Sequence, residues 1–204
     1  ACYDQFEKLY NTSCHCRQLL FASHWYGFIP AMNSGTITNV ARESETGKHK
    51  GHIFNIFKYR EEIRRENGDY AREHKKPLPI DISLKSSNDL VQSILYSIIN
   101  DNFYNWIICE GSSDKIYLEA YLKDEIKDKN LRIIPVGSAS EVKKIYDYLS
   151  VAISELLKSA RDRIKGKVFM LFDTDSQFYD FDTHDELEKY IQCRRIVNAE
   201  EDTS

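Results

Sequence analysis

The stretch Trp106-Ile107-Ile108-Cys109-Glu110-Gly111 is an apolar run that ends directly in an acid and a glycine. Two later apolar runs also end in a turn-forming or acidic segment: Leu131-Arg132-Ile133-Ile134-Pro135-Val136-Gly137-Ser138 and Lys167-Val168-Phe169-Met170-Leu171-Phe172-Asp173-Thr174-Asp175. Apolar residues on both faces are typical of strands buried inside a parallel sheet. The intervening residues have helical spacing, so the order strand, helix, strand, helix, strand predicts an α/β fold with right-handed crossovers.

The predicted helices and an additional strand extend this unit in both directions. Ser138 and Glu141 have the spacing of a capping box at the start of the second helix. Before the first strand, Ser87-Asn88-Asp89 supplies helix-start residues for an amphipathic helix. Cys193-Arg194-Arg195-Ile196-Val197 is predicted to be a fourth strand, and we expect the sheet to continue beyond Ser204. One face of the second helix is predicted to consist of Val142, Ile145, Tyr146, Leu149, Ile153, Leu156 and Leu157.

Three acids follow the predicted strands directly. Glu110 comes after the first strand, and Asp173 and Asp175 come after the third. Parallel strands end at one edge of the sheet, which is where ligands bind in such folds. Residues i and i+2 of an extended segment point to the same side, so Asp173 and Asp175 should face together. We therefore expect three carboxylates at one edge.

Such carboxylates repel one another unless a cation lies among them. Mg²⁺ and Mn²⁺ prefer oxygen ligands, and they could promote an in-line displacement at phosphorus. Asp114, one turn into the following helix, is a further candidate ligand, and Glu141 is a weaker one. Two alternatives stay open: the acids at the strand ends are ordinary surface residues, and Asp114 is a helix-start acid favoured by the helix dipole.

The first half of the chain gives weaker indications. Thr36–Val40 and His52–Phe57 alternate in polarity and predict a hairpin. The charged segment from Arg60 to Asp81 contains a glycine and two prolines, and it is predicted to be a linker. These features suggest two parts, residues 1–85 and 86–204.

Composition restricts the class of protein without fixing it. The 204 residues are 42% hydrophobic, which is typical of a folded chain. Five cysteines make no disulfide framework and favour a reducing, cytoplasmic setting. We expect no membrane span, because no run of eighteen apolar residues occurs. The N-terminus lacks both a signal peptide and an initiator Met, so we expect the chain to be part of a longer protein. The net charge of −4 leaves binding to nucleic acid open.

The acids and their order resemble the Toprim domain of topoisomerases, primases and nucleases. The family's glutamate and Asp-x-Asp pair correspond to Glu110, Asp173 and Asp175, and the resemblance covers roughly residues 104 to 200. The run Glu110-Gly111-Ser112-Ser113-Asp114-Lys115 looks most like the OLD-type nucleases, which have an added acid, here Asp114. The resemblance implies a divalent-metal-dependent endonuclease that acts on DNA and uses Mg²⁺ or Mn²⁺.

A second resemblance lies near the N-terminus. Leu19-Leu20-Phe21-Ala22-Ser23-His24-Trp25 is similar to the last core strand and switch histidine of the ABC-type ATPase domain that precedes Toprim in OLD proteins. It implies that residues 1–85 are the C-terminal part of such a domain and that His24 senses the γ-phosphate of ATP. No P-loop, signature motif or Walker B acids occur in this chain, so the other ATP-binding parts would lie upstream of Ala1.

The resemblance also implies a role in antiviral defence, as a homo-oligomer or with a defence-system partner. We expect no membrane association, because the sequence contains no candidate membrane span. Two other functions stay open. One is another Toprim enzyme of the primase or topoisomerase type, which would need a further domain. The other is a regulatory module in which the carboxylates bind a structural ion or a partner without catalysis.

Overall fold

The computed structural model describes residues 35–42, 47–75, 81–160, 163–173 and 185–196, with the single residues 12, 18, 20 and 22. The helices and strands are, in chain order, β1 (Thr36–Arg42), β2 (His49–Asn55), α1 (Tyr59–His74), α2 (Asp81–Ile98), β3 (Asn105–Cys109), α3 (Ser112–Tyr121), α4 (Lys123–Asp128), β4 (Leu131–Pro135), α5 (Ala139–Ala160), β5 (Val168–Phe172), α6 (Asp185–Glu188) and β6 (Ile191–Arg195).

Four of the strands form a parallel sheet in the order β4-β3-β5-β6. The predicted buried strands and the parallel α/β fold are therefore confirmed, and the fourth strand begins two residues earlier than predicted. The chain passes from β3 to its neighbour β4, then crosses back over β3 to reach β5. The adjacent strands β3 and β5 thus flank the point where the strand order reverses, the usual ligand position in open α/β sheets. This arrangement is compatible with a Toprim-like fold.

The sheet has one hydrophobic core on each face, because successive strand residues point to opposite sides. Ile108 packs in the larger core with α2 and α5. Ile107 packs in the smaller one, with partly buried side chains of α3 and α4. The predicted apolar face of α5 is confirmed, since Val142, Ile145, Leu149 and Ile153 are fully buried.

The predicted hairpin is also confirmed, as β1 and β2 pair antiparallel from Thr36–Asn55 to Arg42–His49. Its inner face forms a small core with α1 that consists of Phe54, Ile56, Tyr59 and Ile63. We call β1, β2 and α1 together the hairpin unit. The Asn55 N–H donates to Glu62 Oε2 at 2.8 Å and closes the junction between the strand and the helix.

The prediction of a linker from Arg60 to Asp81 is wrong over most of its length, because α1 fills residues 59–74. Its many Glu and Arg residues are good helix formers, and Tyr59 and Ile63, four apart, suffice to bury one stripe against the hairpin. The prediction that a helix starts at Ser87 is also wrong, since α2 begins at Asp81. Ser87 is instead fully buried inside that helix.

The proposed boundary between residues 85 and 86 falls within α2 and stays a prediction. In the described part of the chain, no helix has both the length and the apolar character needed to span a membrane.

Candidate functional site at the carboxyl edge of the sheet

Glu110 and Asp173 lie at the carboxyl ends of the two central strands. Ile108 of β3 pairs with Met170 of β5, so both strands deliver their following residues to the same edge. The backbone N–H of Asp173 donates to Glu110 Oε1 at 2.8 Å. Both residues are half-buried. The structure therefore brings two of the predicted acids together, at the position where the strand order reverses.

The turn after β3 is fixed by hydrogen bonds on both sides. The Glu110 carbonyl accepts the Gly137 N–H at 2.6 Å, which joins the ends of β3 and β4. Gly137 has a positive φ of 96°, a conformation that glycine adopts without strain. The Gly111 N–H donates to Asp114 Oδ2 at 2.8 Å. Asp114 thus makes the contact expected of a helix-start acid, and its role as a metal ligand stays a prediction.

Glu61 and Arg64 of α1 bond to the turns at this edge, and the sequence analysis missed both contacts. Glu61 Oε1 accepts the Ser112 N–H at 2.6 Å, and Glu61 Oε2 accepts the Ser112 hydroxyl at 3.1 Å. Arg64 Nη1 donates to the Gly137 carbonyl at 2.5 Å. No local pattern indicates these contacts, because the partners lie far apart in the chain and α1 falls in the segment predicted to be a linker.

A cleft of about 180 Å³ adjoins the turn after β4. Its lining residues include Arg60, Arg64, Ser138 and Glu141. Burial lowers the pKa of the Arg60 guanidinium to about 10, against the opposing effect of the Glu141 carboxylate. Arg60 Nη1 lies 4.0 Å from Glu141 Oε2 and donates to Ser87 Oγ at 3.3 Å. Because Glu141 also forms an ion pair with Lys144, its carboxylate is committed to cations of the protein.

Cys109 is the last residue of β3, directly before the turn, and its thiol is buried. Burial raises the pKa of this thiol to about 12, and the carboxylates of Asp114 and Glu61 contribute in the same direction against Lys115. The group is therefore neutral near pH 7. A thiolate nucleophile at this position is disfavoured, because that role requires the deprotonated form.

The remaining predicted site residues, Asp175 and His24, lie outside the described residues. Within the described ranges, no group of three or more His, Cys, Asp or Glu side chains is arranged to hold a metal ion. The observed part of the candidate site is thus the pair Glu110 and Asp173. Comparison of the chain with protein-family models, with curated proteins and with solved structures finds no significant match.

Proposed function

We propose that this chain is the metal-binding part of a phosphodiester hydrolase, a DNA endonuclease that depends on Mg²⁺ or Mn²⁺. The observation that supports the proposal best is the 2.8 Å hydrogen bond from the Asp173 N–H to Glu110 Oε1. It joins the backbone of Asp173 to the Glu110 carboxylate at the carboxyl edge of the sheet, the edge where ligands usually bind in open α/β sheets.

These residues fit a hard divalent cation. Mg²⁺ is commonly held by one or two carboxylates, with water and substrate phosphate oxygens as its other ligands. Glu110 and Asp173 would hold the ion, with Asp175 and Asp114 as further candidate ligands. When bound, the ion would supply Lewis-acid polarisation of the phosphodiester and balance charge on the leaving oxygen. The Asp173 N–H orients the Glu110 carboxylate, and the bond between the Glu110 carbonyl and Gly137 fixes its backbone.

The wider function rests on the resemblance to OLD-type nucleases. We propose that residues 1–85 complete an ABC-type ATPase domain whose other parts lie upstream, with His24 as the sensor of the ATP γ-phosphate. Cleavage of DNA would then be controlled by ATP, in a cytoplasmic antiviral defence protein that acts as a homo-oligomer or with a defence-system partner.

The test is plasmid cleavage by the full-length protein with Mg²⁺ or Mn²⁺, with and without ATP, for the wild type and for Glu110→Gln and Asp173→Asn. We expect each variant to lose cleavage by roughly 100-fold or more, since even residues that only orient metal ligands are worth about 10- to 100-fold. The matched control is Asp128→Asn, an exposed acid just before β4 and therefore at the opposite edge of the sheet. It should cut normally.

Thermal unfolding of the same variants separates the open alternatives. A nuclease should keep its melting temperature in Asp173→Asn, whereas a module with a structural ion should lose stability as well as any activity. Cleavage that persists in EDTA, or that is undiminished in Asp173→Asn, would overturn the proposal.

A further inference from the structure

Glu61 of α1 bonds to the turn that holds Glu110, although it belongs to the hairpin unit. We infer that Glu61 is a positioning residue, through which the hairpin unit controls the metal-binding geometry of Glu110. The part of this inference that concerns metal rests on the proposed function. The part that concerns order in the turn stands on the contacts alone.

Glu61 holds a residue of the turn, Ser112, that is different from the one held by the hydrogen bonds of the sheet. The sheet holds Glu110 through the bonds of its carbonyl to Gly137 and of its carboxylate to the Asp173 N–H. Asp114 holds the Gly111 N–H. The next N–H, that of Ser112, is held by Glu61 at 2.6 Å. Hydrogen bonds thus fix the three consecutive residues Glu110, Gly111 and Ser112. The last of these is held by Glu61, which belongs to the hairpin unit.

A carboxylate suits this position for two reasons. It has two acceptor oxygens, which here take the N–H and the hydroxyl of the same residue, Ser112. It also places negative charge at the N-terminus of α3, a helix of 10 residues whose first N–H groups have no partner inside the helix. Glutamine could supply only one acceptor oxygen. Aspartate would keep the charge but fall short by one methylene, about 1.5 Å.

The hairpin and α1 share one small hydrophobic core and are packed together as one unit. Phe54 and Ile56 pack against Tyr59 and Ile63 across the junction between β2 and α1. Arg64, on the same face of α1 as Glu61, bonds to the Gly137 carbonyl, so α1 contacts the turns after both β3 and β4. A displacement of the hairpin unit would therefore withdraw Glu61 from Ser112 and loosen the turn next to Glu110. This is a route by which an upstream part of the protein could regulate the candidate site.

The test compares Glu61→Gln, Glu61→Asp and Glu61→Ala with the wild type. Two quantities are measured on the 204-residue chain: Mn²⁺ affinity by calorimetric titration, and hydrogen exchange of the amides from Gly111 to Lys115. The matched control is Glu62→Gln, the neighbouring residue, whose carboxylate bonds within the hairpin unit to Asn55. Asp173→Asn serves as the variant that removes a proposed ligand.

We expect Glu61→Asp and Glu61→Ala to bind Mn²⁺ about tenfold more weakly, with faster exchange from Gly111 to Lys115, because residues that orient metal ligands have effects of that size. Glu62→Gln should match the wild type in both measurements. Glu61→Asp could bind Mn²⁺ like the wild type while Glu61→Gln binds it more weakly. In that case the charge of residue 61, and not the position of its oxygen atoms, would determine the affinity, and the inference would be wrong. Unchanged affinity and exchange in all three variants would also refute it.

The two proposals fail in different ways. If the wild type binds no Mn²⁺, or if Asp173→Asn binds it equally well, the proposed function is overturned together with the metal-related part of this inference. Hydrogen exchange then decides the rest: faster exchange in Glu61→Asp supports the ordering role of Glu61, and unchanged exchange rejects it.

Discussion

The substitution Gly166→Ala adds a single methyl group and tests how closely the sheet is packed at the edge where its strands begin. Gly166 lies just before β5, and its N–H donates to the Ile98 carbonyl at 3.0 Å. A Cβ at this position would lie 2.3 Å from the Tyr104 carbonyl oxygen and 3.0 Å from Ile98 Cγ2. Since the oxygen belongs to the backbone just before β3, no side-chain rotation can relieve the contact. The backbone segments that precede β3 and β5 must therefore move apart.

The expected magnitude follows from that overlap. Overpacking of a close-packed region usually costs about 1–3 kcal/mol, and a clash with backbone belongs at the upper end, so we expect Gly166→Ala to lower the free energy of unfolding by about 3 kcal/mol. For a chain of this size 1 kcal/mol corresponds to roughly 2–4 °C in melting temperature. The melting temperature should therefore fall by roughly 6–12 °C.

The matched control is the same substitution at Gly68, inside α1. A Cβ there meets nothing within 4 Å. Because alanine restricts the unfolded chain more than glycine does and favours the helix, Gly68→Ala should raise the free energy of unfolding by about 0.5–1 kcal/mol. Urea unfolding and calorimetry of the wild type and both variants measure the difference. A Gly166→Ala protein within about 0.5 kcal/mol of the wild type would refute the reasoning, since that is the range of neutral surface changes.

Two further predictions concern buried polar groups. The Cys109 thiol has a raised pKa of about 12, so the folded chain keeps its proton while the unfolded chain loses it above about pH 9. The contribution of this thiol to the free energy of unfolding should therefore be fully present below pH 9, and it should fall by up to about 1.4 kcal/mol per pH unit as the pH rises. In urea unfolding between about pH 8.5 and 10, Cys109→Ala should lose stability less steeply with pH than the wild type does. An equal dependence on pH in the two proteins would contradict this. The buried Trp106 indole donates to Ser97 Oγ at 2.7 Å, so Ser97→Ala should cost about 1–3 kcal/mol by leaving the N–H unpaired. Ser150→Ala, which removes a hydroxyl that donates to the Asp147 carbonyl of its own helix at 2.9 Å, should change stability little by comparison.

Much of the fold could be predicted because its signals are local. Ile107 and Ile108 belong to a run apolar on both faces, and this alone indicates a buried parallel strand. The apolar spacing of α5 indicated its buried face in the same way. By contrast, α1 was missed because its apolar stripe is only two residues wide, and such a stripe is visible only when the hairpin against which it packs is known.

The sequence by itself determined that Glu110 and Asp173 would meet, because each directly follows a strand and parallel strands end at one edge. Only the tertiary structure decided which neighbours hold them there. Glu61 meets Ser112 across 51 residues of chain, and the carboxylate of Asp114 accepts the Gly111 N–H at 2.8 Å. Such contacts depend on how a separate helix packs on the sheet edge, which is set by the shape of the whole molecule and leaves no periodic signal in the chain.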